Sequence, residues 1–449
     1  MGSFDTAKAH QKLEDVIAHA KRLGAQDVDA LYVEGKSIGV SWRDGKLEDM
    51  EHSEAADIGL RVFFGKHQAS ASTSDDSPKG LEEIAQRVVD MAKVAPEDPF
   101  CGLASPNQIA RTFPEIELAD DYDVDVNQYI ERAKQAEQAA LSVEGVTQCE
   151  GASASGGETF IALRATNGFS GSYRRTGYGT SVSVLAGQGT EMESDYDYDS
   201  VVFQSDLRSA QDIGLTAAHR ALKNLGARKV PSCQVPVVFD PRESNGLLAA
   251  FLGSISGSAV ARGTSFLKDH MDKQVFAETI TVTDDPFRQR GSRSKMFDGE
   301  GIQPQRRALV QNGVLQTWLM DLRSARQLGL QSTGHGSRGT SGVPHPSPTN
   351  AYIEAGTLSP TDLMRDIKSG FYITELMGDG INGVTGDLSQ AARGFWIENG
   401  EITYPVFEMT IAGNLKDMFL HMTAADDLTF RYGIDAPTLR IEGMTVAGI

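Results

Sequence analysis

The longest apolar run of the chain, at residues 246–260, is the feature that most constrains the fold. Serine and glycine interrupt the run, and it is shorter than the roughly 20 apolar residues that a helix needs to cross a bilayer. A nucleophile elbow would read G-x-S-x-G, but Ser254 and Ser256 fall one residue out of that register. The run therefore predicts a helix of a globular domain whose small-residue end packs closely against its neighbours.

The net charge of the chain limits the classes of molecule that it can bind. Lys and Arg number 42 against 61 Asp and Glu, which gives a formal charge of −19. The acidic residues are spread along the chain, with a local excess at residues 120–125 and 191–199. A surface of this sign repels phosphate backbones and anionic lipids, so we expect neither a nucleic-acid partner nor a membrane partner.

The cysteines and the N-terminus indicate the compartment. Cys101, Cys149 and Cys233 are far apart and have no CxxC spacing, which argues for a reducing environment and against a disulfide framework. The N-terminus lacks the basic and apolar layout of a secretion signal. We therefore expect a cytoplasmic protein.

The first part of the chain predicts helices packed on an antiparallel sheet. Apolar residues recur at helical spacing over residues 6–23, and a second amphipathic helix ends at Ala95-Pro96. The dipeptide Asp44-Gly45 is typical of a tight hairpin between two strands. Because 449 residues exceed one ordinary core, we assign this pattern to a first domain at residues 1–226.

A second domain is predicted at residues 231–449, after a short linker that begins at Gly226. Beyond Gly257 the pattern is mostly one of turns and strands. The dipeptides Asn312-Gly313 and Asn399-Gly400 each predict a hairpin there. Two hairpins are too few to indicate a repeat protein.

The loop at residues 333–339 carries the best candidate for contact with a substrate. His335 stands between two glycines, where backbone amides and an imidazole could meet a peptide or an anion. The alternative is a surface turn whose glycines serve backbone conformation, since no acidic or nucleophilic residue has a sequence-defined relation to His335. We keep His335, Arg338 and Ser265 as candidate residues of a substrate cavity.

Two acidic clusters and one glycine-rich segment have competing interpretations. Asp284-Asp285 and Asp298-Gly299-Glu300 could bind calcium or act as acid and base, but their spacing does not fit a calcium loop. A hydrogen-bonded loop is the preferred interpretation for both. Residues 378–387 lack the Lys-Ser/Thr of a P-loop and the spacing of a Rossmann motif, so they predict a close-packed turn rather than a nucleotide cradle.

A series of short motifs follows in a defined order along the chain. In the first domain they are Arg43-Asp44-Gly45 and Gly59-Leu60-Arg61-Val62. In the second domain they occupy residues 264–267, 297–301, 324–326, 332–336, 382–387 with Ser389, and 397–400. This ordered set resembles the TldD/TldE (PmbA) family of paired bacterial proteins over nearly the whole chain. The resemblance implies an α+β protein, with a mixed N-terminal domain and a mainly β C-terminal domain that has a few helices.

Within that family the chain resembles the TldE (PmbA) type, which lacks the zinc signature. In the TldD type an HExxxH helix precedes the turn that corresponds to residues 262–265, and its histidines bind zinc while its glutamate takes a proton from the metal-bound water. Counting back from this turn places Leu248 and Gly253 at the histidines and Ala249 at the glutamate. The family's cysteine near the C-terminus is also missing from residues 424–442. The resemblance implies no catalytic and no metal-binding residue in this chain.

The resemblance further implies a partner and an activity. A TldD-like subunit would form a heterodimer with this chain and carry both the zinc and the catalysis. This chain would close the cavity and position unfolded or short peptides, in the maturation of peptide antibiotics or the breakdown of an antitoxin. The sequence does not decide whether the chain forms a homodimer when the partner is absent. Two other functions are also consistent with it. The chain could be a stand-alone peptide-binding or scaffold protein, or an independent hydrolase that uses His335 with a carboxylate from elsewhere.

Overall fold

The computed structural model describes residues 4–121 and 125–448. The elements of its N-terminal half are α1 (Thr6–Arg22), β1 (Asp27–Arg43), β2 (Lys46–Phe64), β3 (His67–Thr73), α2 (Pro78–Val94), α3 (Val126–Leu141), β4 (Val146–Ala165), β5 (Ser170–Ala186), β6 (Glu193–Val201) and α4 (Ala210–Lys223). The strands form one antiparallel sheet in the order β3-β2-β1-β4-β5-β6. All of these helices pack on the same face, α1 and α2 beside β1 to β3, and α3 and α4 beside β4 to β6.

The order helix, three strands, helix occurs twice in this half. The first copy runs from α1 to α2 and the second from α3 to α4, so β1 and β4 meet antiparallel at the centre of the sheet. The tight turns fall at equivalent places, because Asp44-Gly45 joins β1 to β2 and Asn167-Gly168 lies between β4 and β5. Asp44 and Gly45 have positive φ values of 52° and 72°, as the predicted hairpin requires. The half is therefore a pseudo-twofold arrangement of two similar units.

Helix α1 confirms the helix predicted at residues 6–23. Asp5 caps its N-terminus by accepting a hydrogen bond from the Lys8 amide (2.9 Å). Leu13, Val16 and Ala20 recur every three to four residues and are fully buried. Their spacing explains which side of the helix meets the sheet.

Two larger sheets and several short helices make up the C-terminal half. Its elements are β7 (Cys233–Phe239), α5 (Pro241–Ser254), α6 (Gly257–Ala261), β8 (Val282–Asp285), β9 (Arg307–Gln311), β10 (Val314–Leu315), α7 (Leu322–Leu328), β11 (Gly336–Ser337), β12 (His345–Pro346), β13 (Asn350–Ile353), α8 (Pro360–Met364), β14 (Ser369–Met377), β15 (Asp387–Glu398), β16 (Glu401–Asn414), α9 (Leu415–Leu420), β17 (Met422–Ala424), β18 (Ile434–Asp435) and β19 (Leu439–Ala447). One sheet has the order β16-β15-β14-β7-β19-β17, and the pairing of β16 with β19 closes five of its strands into a ring. The other has the order β10-β9-β8-β13-β18, and β11 pairs with β12.

The apolar run at residues 246–260 forms most of α5 together with α6, and it lies in the C-terminal core. The buried residues of α5 are Ser244, Leu247, Leu248, Phe251, Leu252 and Ser254. The close packing predicted for the small-residue end is confirmed at Gly257. A Cβ atom there would lie 2.8 Å from the Ser324 Oγ and 3.0 Å from the Leu319 carbonyl oxygen, so no larger residue fits without a shift.

The predicted α+β class is confirmed, and so are the hairpins at Asn312-Gly313 and Asn399-Gly400, which join β9 to β10 and β15 to β16. The domain division at residues 226–231 stays a prediction. That segment is not free of contacts, because the Arg228 amide donates to the Pro405 carbonyl (3.1 Å). Among the helices of the described residues, none combines the length and the apolar composition needed to cross a membrane.

Three phenylalanine rings at the centre of the C-terminal core give a test of this packing. Phe276 stacks on Phe419 with centroids 4.4 Å apart and meets Phe251 edge-on at 4.9 Å. We expect Phe276→Ala to lower the free energy of unfolding by about 3–5 kcal/mol, because it removes buried apolar area and leaves a cavity. Urea unfolding followed by circular dichroism measures the change. Val94→Ala, at a site that is 84% exposed, should change the free energy of unfolding by less than about 0.5 kcal/mol. Equal destabilisation by the two substitutions would contradict the placement of Phe276 in the core.

Candidate functional site

Helix α5 places the positions that correspond to the zinc-site residues in different surroundings. Leu248 is 1% exposed and lies in the C-terminal core, whereas Ala249 and Gly253 are exposed. None of the three side chains has an oxygen, nitrogen or sulfur atom to bind a metal. Within residues 4–121 and 125–448, no group of three or more His, Cys, Asp and Glu side chains could hold a metal ion. The residues present on this helix therefore do not fit a zinc ion.

Ser265 follows the turn after α6 and is held inside the protein. Its hydroxyl donates a hydrogen bond to the Ser254 carbonyl (2.6 Å) and accepts one from the Leu267 amide (2.9 Å). Only 3% of the residue is exposed. These hydrogen bonds connect the turn to the end of α5. The assignment of Ser265 to a substrate cavity stays a prediction.

His335 lies in a buried hydrogen-bond network. Its Nε2 is 3.0 Å from Asp284 Oδ1, and its Nδ1 is 2.8 Å from Thr333 Oγ1. Asp284 also accepts hydrogen bonds from the amide (2.8 Å) and the hydroxyl (2.5 Å) of Thr349. His335 and Asp284 are both 0% exposed. The interpretation of this loop as a surface turn is therefore wrong, because the imidazole pairs with a carboxylate 51 residues away.

The Asp284 carboxylate is stabilised in its charged form. Burial alone would raise the pKa of Asp284, but the hydrogen bonds from His335 and Thr349 outweigh burial and hold that pKa below its ordinary value. The pair ties β8 to the loop before β11. Sequence reasoning missed it because β8 and the His335 loop are far apart in the chain and meet only through the tertiary fold.

Arg338 joins the C-terminal half to the N-terminal sheet. Its Nη1 donates to Asp29 Oδ1 (2.6 Å), and Arg61 Nε donates to the other oxygen of the same carboxylate (3.0 Å). The three side chains are only 2–4% exposed. Burial would raise the pKa of Asp29, but Arg338 and Arg61 hold it below its ordinary value. Arg338 is thus a buried contact between the halves, and its place in a substrate cavity also stays a prediction.

The acidic loop at Asp298 and Glu300 confirms the hydrogen-bonded interpretation. Asp298 accepts hydrogen bonds from the amides of Glu300, Ile302 and Gly336, each at 2.9 Å. Glu300 accepts one from the Leu322 amide (2.8 Å). Burial raises the pKa of Asp298, and burial together with the nearby Asp298 raises the pKa of Glu300 to about 8. The loop holds its carboxyl groups in place with backbone amides rather than offering them to calcium.

The glycine-rich segment at residues 378–387 is a turn between β14 and β15 that packs closely at Gly380 and is mostly exposed elsewhere. A Cβ atom at Gly380 would lie 2.4 Å from the Ser389 carbonyl oxygen. Asn382 accepts a hydrogen bond from the Val384 amide (2.9 Å) through its side chain. The segment is therefore shaped by contacts within the chain.

The acidic excess at residues 191–199 is not the surface feature that its composition suggests. Asp195, Asp197 and Asp199 alternate along β6 and are 2–6% exposed. The arginines that form ion pairs with Asp195 or Asp197 are Arg208, Arg220, Arg242 and Arg431. Because two of these arginines belong to the C-terminal half, the acidic strand helps to hold the halves together.

Two of the cavities formed by the described residues are open to solvent, measure several hundred Å³ and lie between the halves. The first has a volume of about 410 Å³ and the second about 510 Å³. Charged residues that line the first are Asp199, Asp206, Arg208, Arg288, Arg290, Arg431 and Asp435. Those that line the second are Asp195, Arg220, Lys223, Asp240 and Arg242. Neither cavity is lined by His335, Arg338 or Ser265. The residues that do line the cavities belong to no sequence motif from which a binding site could have been predicted.

Glu300 offers a pH test of the buried acidic loop. Its pKa of about 8 in the folded state lies above the ordinary value of 4.5, so the folded state binds the proton more tightly than the unfolded state does. The stability that this proton contributes is present in full below about pH 4.5 and is lost as the pH rises through about 8. Glu300→Gln should therefore weaken this pH dependence and raise the free energy of unfolding at pH 8.5 by about 1–4 kcal/mol.

Thermal and urea unfolding between pH 5 and pH 8.5 measure the effect. Glu83→Gln, at an exposed position of α2, is the matched control and should leave the pH dependence unchanged, because its partner Lys79 stays charged throughout this range. A Glu300→Gln variant that is less stable than the wild type at pH 8.5 would contradict the raised pKa.

Comparison with known proteins covers nearly the full length of the chain. Three models of PmbA/TldA metallopeptidases match it: domain 1 at residues 28–92, the central domain at residues 119–225 and the C-terminal domain at residues 232–448. Metalloprotease PmbA of Escherichia coli O157:H7 is 34% identical over 441 residues, 97% of this chain and 96% of the relative. The Metalloprotease PmbA homolog of Haemophilus influenzae is 33% identical over 443 residues, 98% of this chain and 96% of the relative.

Solved structures have the same fold. A Bacteroides thetaiotaomicron protein described as a "putative modulator of DNA gyrase" superposes with a TM-score of 0.91 at 28% identity, over 99% of this chain and 100% of that one. TldE from Thermococcus kodakarensis superposes with a TM-score of 0.86 at 20% identity, over 97% and 100% of the two chains, which shows a shared fold. The chain belongs to the PmbA/TldD metallopeptidase family.

Proposed function

We propose that this chain is the subunit of a two-subunit PmbA/TldD metallopeptidase that does not hold the zinc ion. The observation that carries the proposal is α5, which keeps the buried apolar face of a core helix. At the positions that correspond to the zinc ligands and the base, Leu248, Ala249 and Gly253 provide no donor atom. A catalytic zinc centre needs three protein ligands and an open position for water. A TldD-like partner would supply both the zinc and the catalytic residues in a heterodimer.

The contribution of this chain is to bind and orient peptides. Its relatives at 33–34% identity are named metalloproteases, which supports proteolysis as the activity of the assembly. A chamber closed by two subunits admits extended peptides and excludes folded chains by size. Unfolded or short peptides, such as antibiotic precursors and antitoxins, are the proposed substrates.

The His335 network speaks against an independent hydrolase. Nε2 faces Asp284 and Nδ1 faces the Thr333 hydroxyl, which also accepts a hydrogen bond from the Met320 amide (2.7 Å). A nucleophile must reach its substrate, but Thr333 is only 5% exposed. The imidazole is also 0% exposed. These contacts support a structural role for His335 and favour the subunit function.

The cytoplasm is the proposed location of this assembly. Cys101, Cys149 and Cys233 are free thiols, and free thiols suit a reducing compartment. The formal charge of −19 opposes contact with a phosphate backbone. The DNA-gyrase description of the Bacteroides relative therefore does not imply DNA binding by this chain.

Reconstitution tests the subunit function. We expect the purified chain alone to bind less than about 0.1 zinc per chain and to leave an unfolded peptide intact, because α5 offers no ligands. Mixed with a TldD-like subunit that has HExxxH, it should form a heterodimer that holds one zinc and cleaves the peptide. Elemental analysis, light scattering on a sizing column and mass spectrometry of the products provide the three readouts.

The same samples distinguish the alternatives. Cleavage by the chain alone at the rate of the mixture would overturn the subunit function in favour of an independent hydrolase. Peptide binding with no cleavage in either sample would favour a stand-alone binding protein. Partner subunits with both HExxxH histidines replaced by alanine serve as the control and should restore no cleavage.

A further inference from the structure

Strand β2 is longer than the strand that covers its outer side. It spans Lys46–Phe64, whereas β3 pairs only with residues 58–64. Residues 46–56, which we name the β2 edge, pair with β1 on one side and with no strand of the described chain on the other. At about 3.4 Å per residue, this unpaired edge is roughly 35 Å long.

The equivalent edge in the second unit of the pseudo-twofold arrangement is covered. Strand β5 extends beyond β6, which pairs only with residues 178–186. A segment of the chain lies along the remainder, where the Thr176 amide donates to the Leu118 carbonyl (3.1 Å) and the Thr176 hydroxyl accepts from the Asp120 amide (2.8 Å). One of two equivalent edges is therefore protected by the chain itself, and the β2 edge is not.

Side chains also protect the outer side of β6. Arginines donate hydrogen bonds to its carbonyl groups, namely Arg393 to Ser194, Arg220 to Tyr196 and Arg431 to Tyr198. An unpaired strand edge is a template for another chain, and proteins usually cover it. The contrast with β5 and β6 indicates that the open β2 edge is available to a ligand.

Charge determines which ligand fits. Glu48, Asp49, Glu51 and Glu54 are exposed on the β2 edge, and Lys46 is the one Lys or Arg of the segment. Glu48 pairs with Arg43 of β1, which leaves the other three carboxylates as the excess negative charge. Two copies that paired through this edge would bring carboxylates opposite each other, which is unfavourable. The same charges attract a strand that carries Lys or Arg, so they discriminate against a second copy and in favour of a cationic chain.

Apolar area near the turn adds to this surface. Leu47 is 42% exposed and Met50 is 53% exposed. They lie opposite Trp42 and Val40 of β1. A strand that paired with the β2 edge could cover both side chains and gain from their removal from water.

We propose that the β2 edge binds an extended cationic peptide by adding it to the sheet as a further strand. Main-chain hydrogen bonds would provide affinity for many sequences, and the carboxylates would select Lys and Arg. An unfolded peptide fits because its amide and carbonyl groups are free, whereas a folded chain has already paired them. The inference rests on the proposed function in taking this peptide as substrate, but the binding step needs no second subunit.

The test measures binding of a fluorescent peptide of about 12 residues with alternating Lys and Thr to the full-length chain alone. We expect the triple variant Glu48→Lys, Glu51→Lys, Glu54→Lys to weaken binding at least about tenfold. The matched control is Glu82→Lys, Glu83→Lys, Asp90→Lys on α2, which makes the same change in charge at exposed positions. It should alter the affinity by less than about twofold.

A second peptide isolates the main-chain contribution. The same sequence with N-methylated amides keeps every charge but cannot donate main-chain hydrogen bonds, so we expect it to bind at least about tenfold more weakly. Equal losses in the two triple variants would overturn the proposal, since any acidic surface would then suffice. Undiminished binding of the N-methylated peptide would overturn it as well.

Adding a TldD-like subunit separates this inference from the proposed function. Peptide binding at the β2 edge without cleavage in the mixture would retain the inference and overturn the proposed function. If the triple variant loses the heterodimer while its peptide affinity is unchanged, the edge is a contact between subunits and the peptide proposal is wrong.

Discussion

The buried contact of Arg338 with Asp29 is the interaction on which the arrangement of the two halves depends. One carboxylate of the N-terminal sheet accepts hydrogen bonds from Arg61 of the same sheet and from Arg338 of the other half. Removing one partner of a buried ion pair costs about 3–5 kcal/mol, because the remaining charge stays out of water. Around this contact, Phe169 of the first half packs on Phe297 of the second at 5.0 Å. Ion pairs of Arg242 with Asp195 and of Arg431 with Asp197 join the halves as well, beside the two cavities.

Helix α5 separates packing from chemistry at the three positions that the family resemblance assigns to a zinc site. The packing of the helix uses its buried face, where Leu248 and Phe251 lie in the core. The positions that correspond to the glutamate and second histidine, Ala249 and Gly253, are exposed and make little contribution to that packing. Losing ligand atoms at exposed positions leaves the core intact, so structure and catalysis can be divided between two related chains. This separation is the physical basis for the proposed subunit function.

Local features of the sequence predicted local structure well. The spacing of Leu13 and Val16 predicted α1, and the turns at Asp44-Gly45, Asn312-Gly313 and Asn399-Gly400 lie where the dipeptides indicated. These predictions succeed because a turn or a helix face is decided by residues within a few positions of one another. The sequence did not predict the repeated order of helix, three strands and helix, because this repeat lies in the arrangement of the elements and is not marked by a shared motif.

Predictions of whether a residue is buried or exposed were less successful, because burial depends on the surrounding tertiary structure. Glycines on both sides of His335 suggested a surface turn, but the imidazole is buried and its two nitrogens face Asp284 and Thr333. The acidic stretch on β6 suggested a charged surface, but its aspartates alternate inward and meet arginines from distant elements. In both cases the partner that decides burial is far away in the sequence. The cavity residues Arg288 and Tyr372 were missed for the same reason.

The sequence by itself determined that the side chains of Leu248, Ala249 and Gly253 carry no donor atom for zinc in any conformation. It also determined the sign of the charge on residues 46–56. Only the tertiary structure decided that His335 is buried and that the β2 edge is left open. Ligand chemistry is a property of single side chains, whereas burial and strand pairing depend on which distant segments the fold brings alongside.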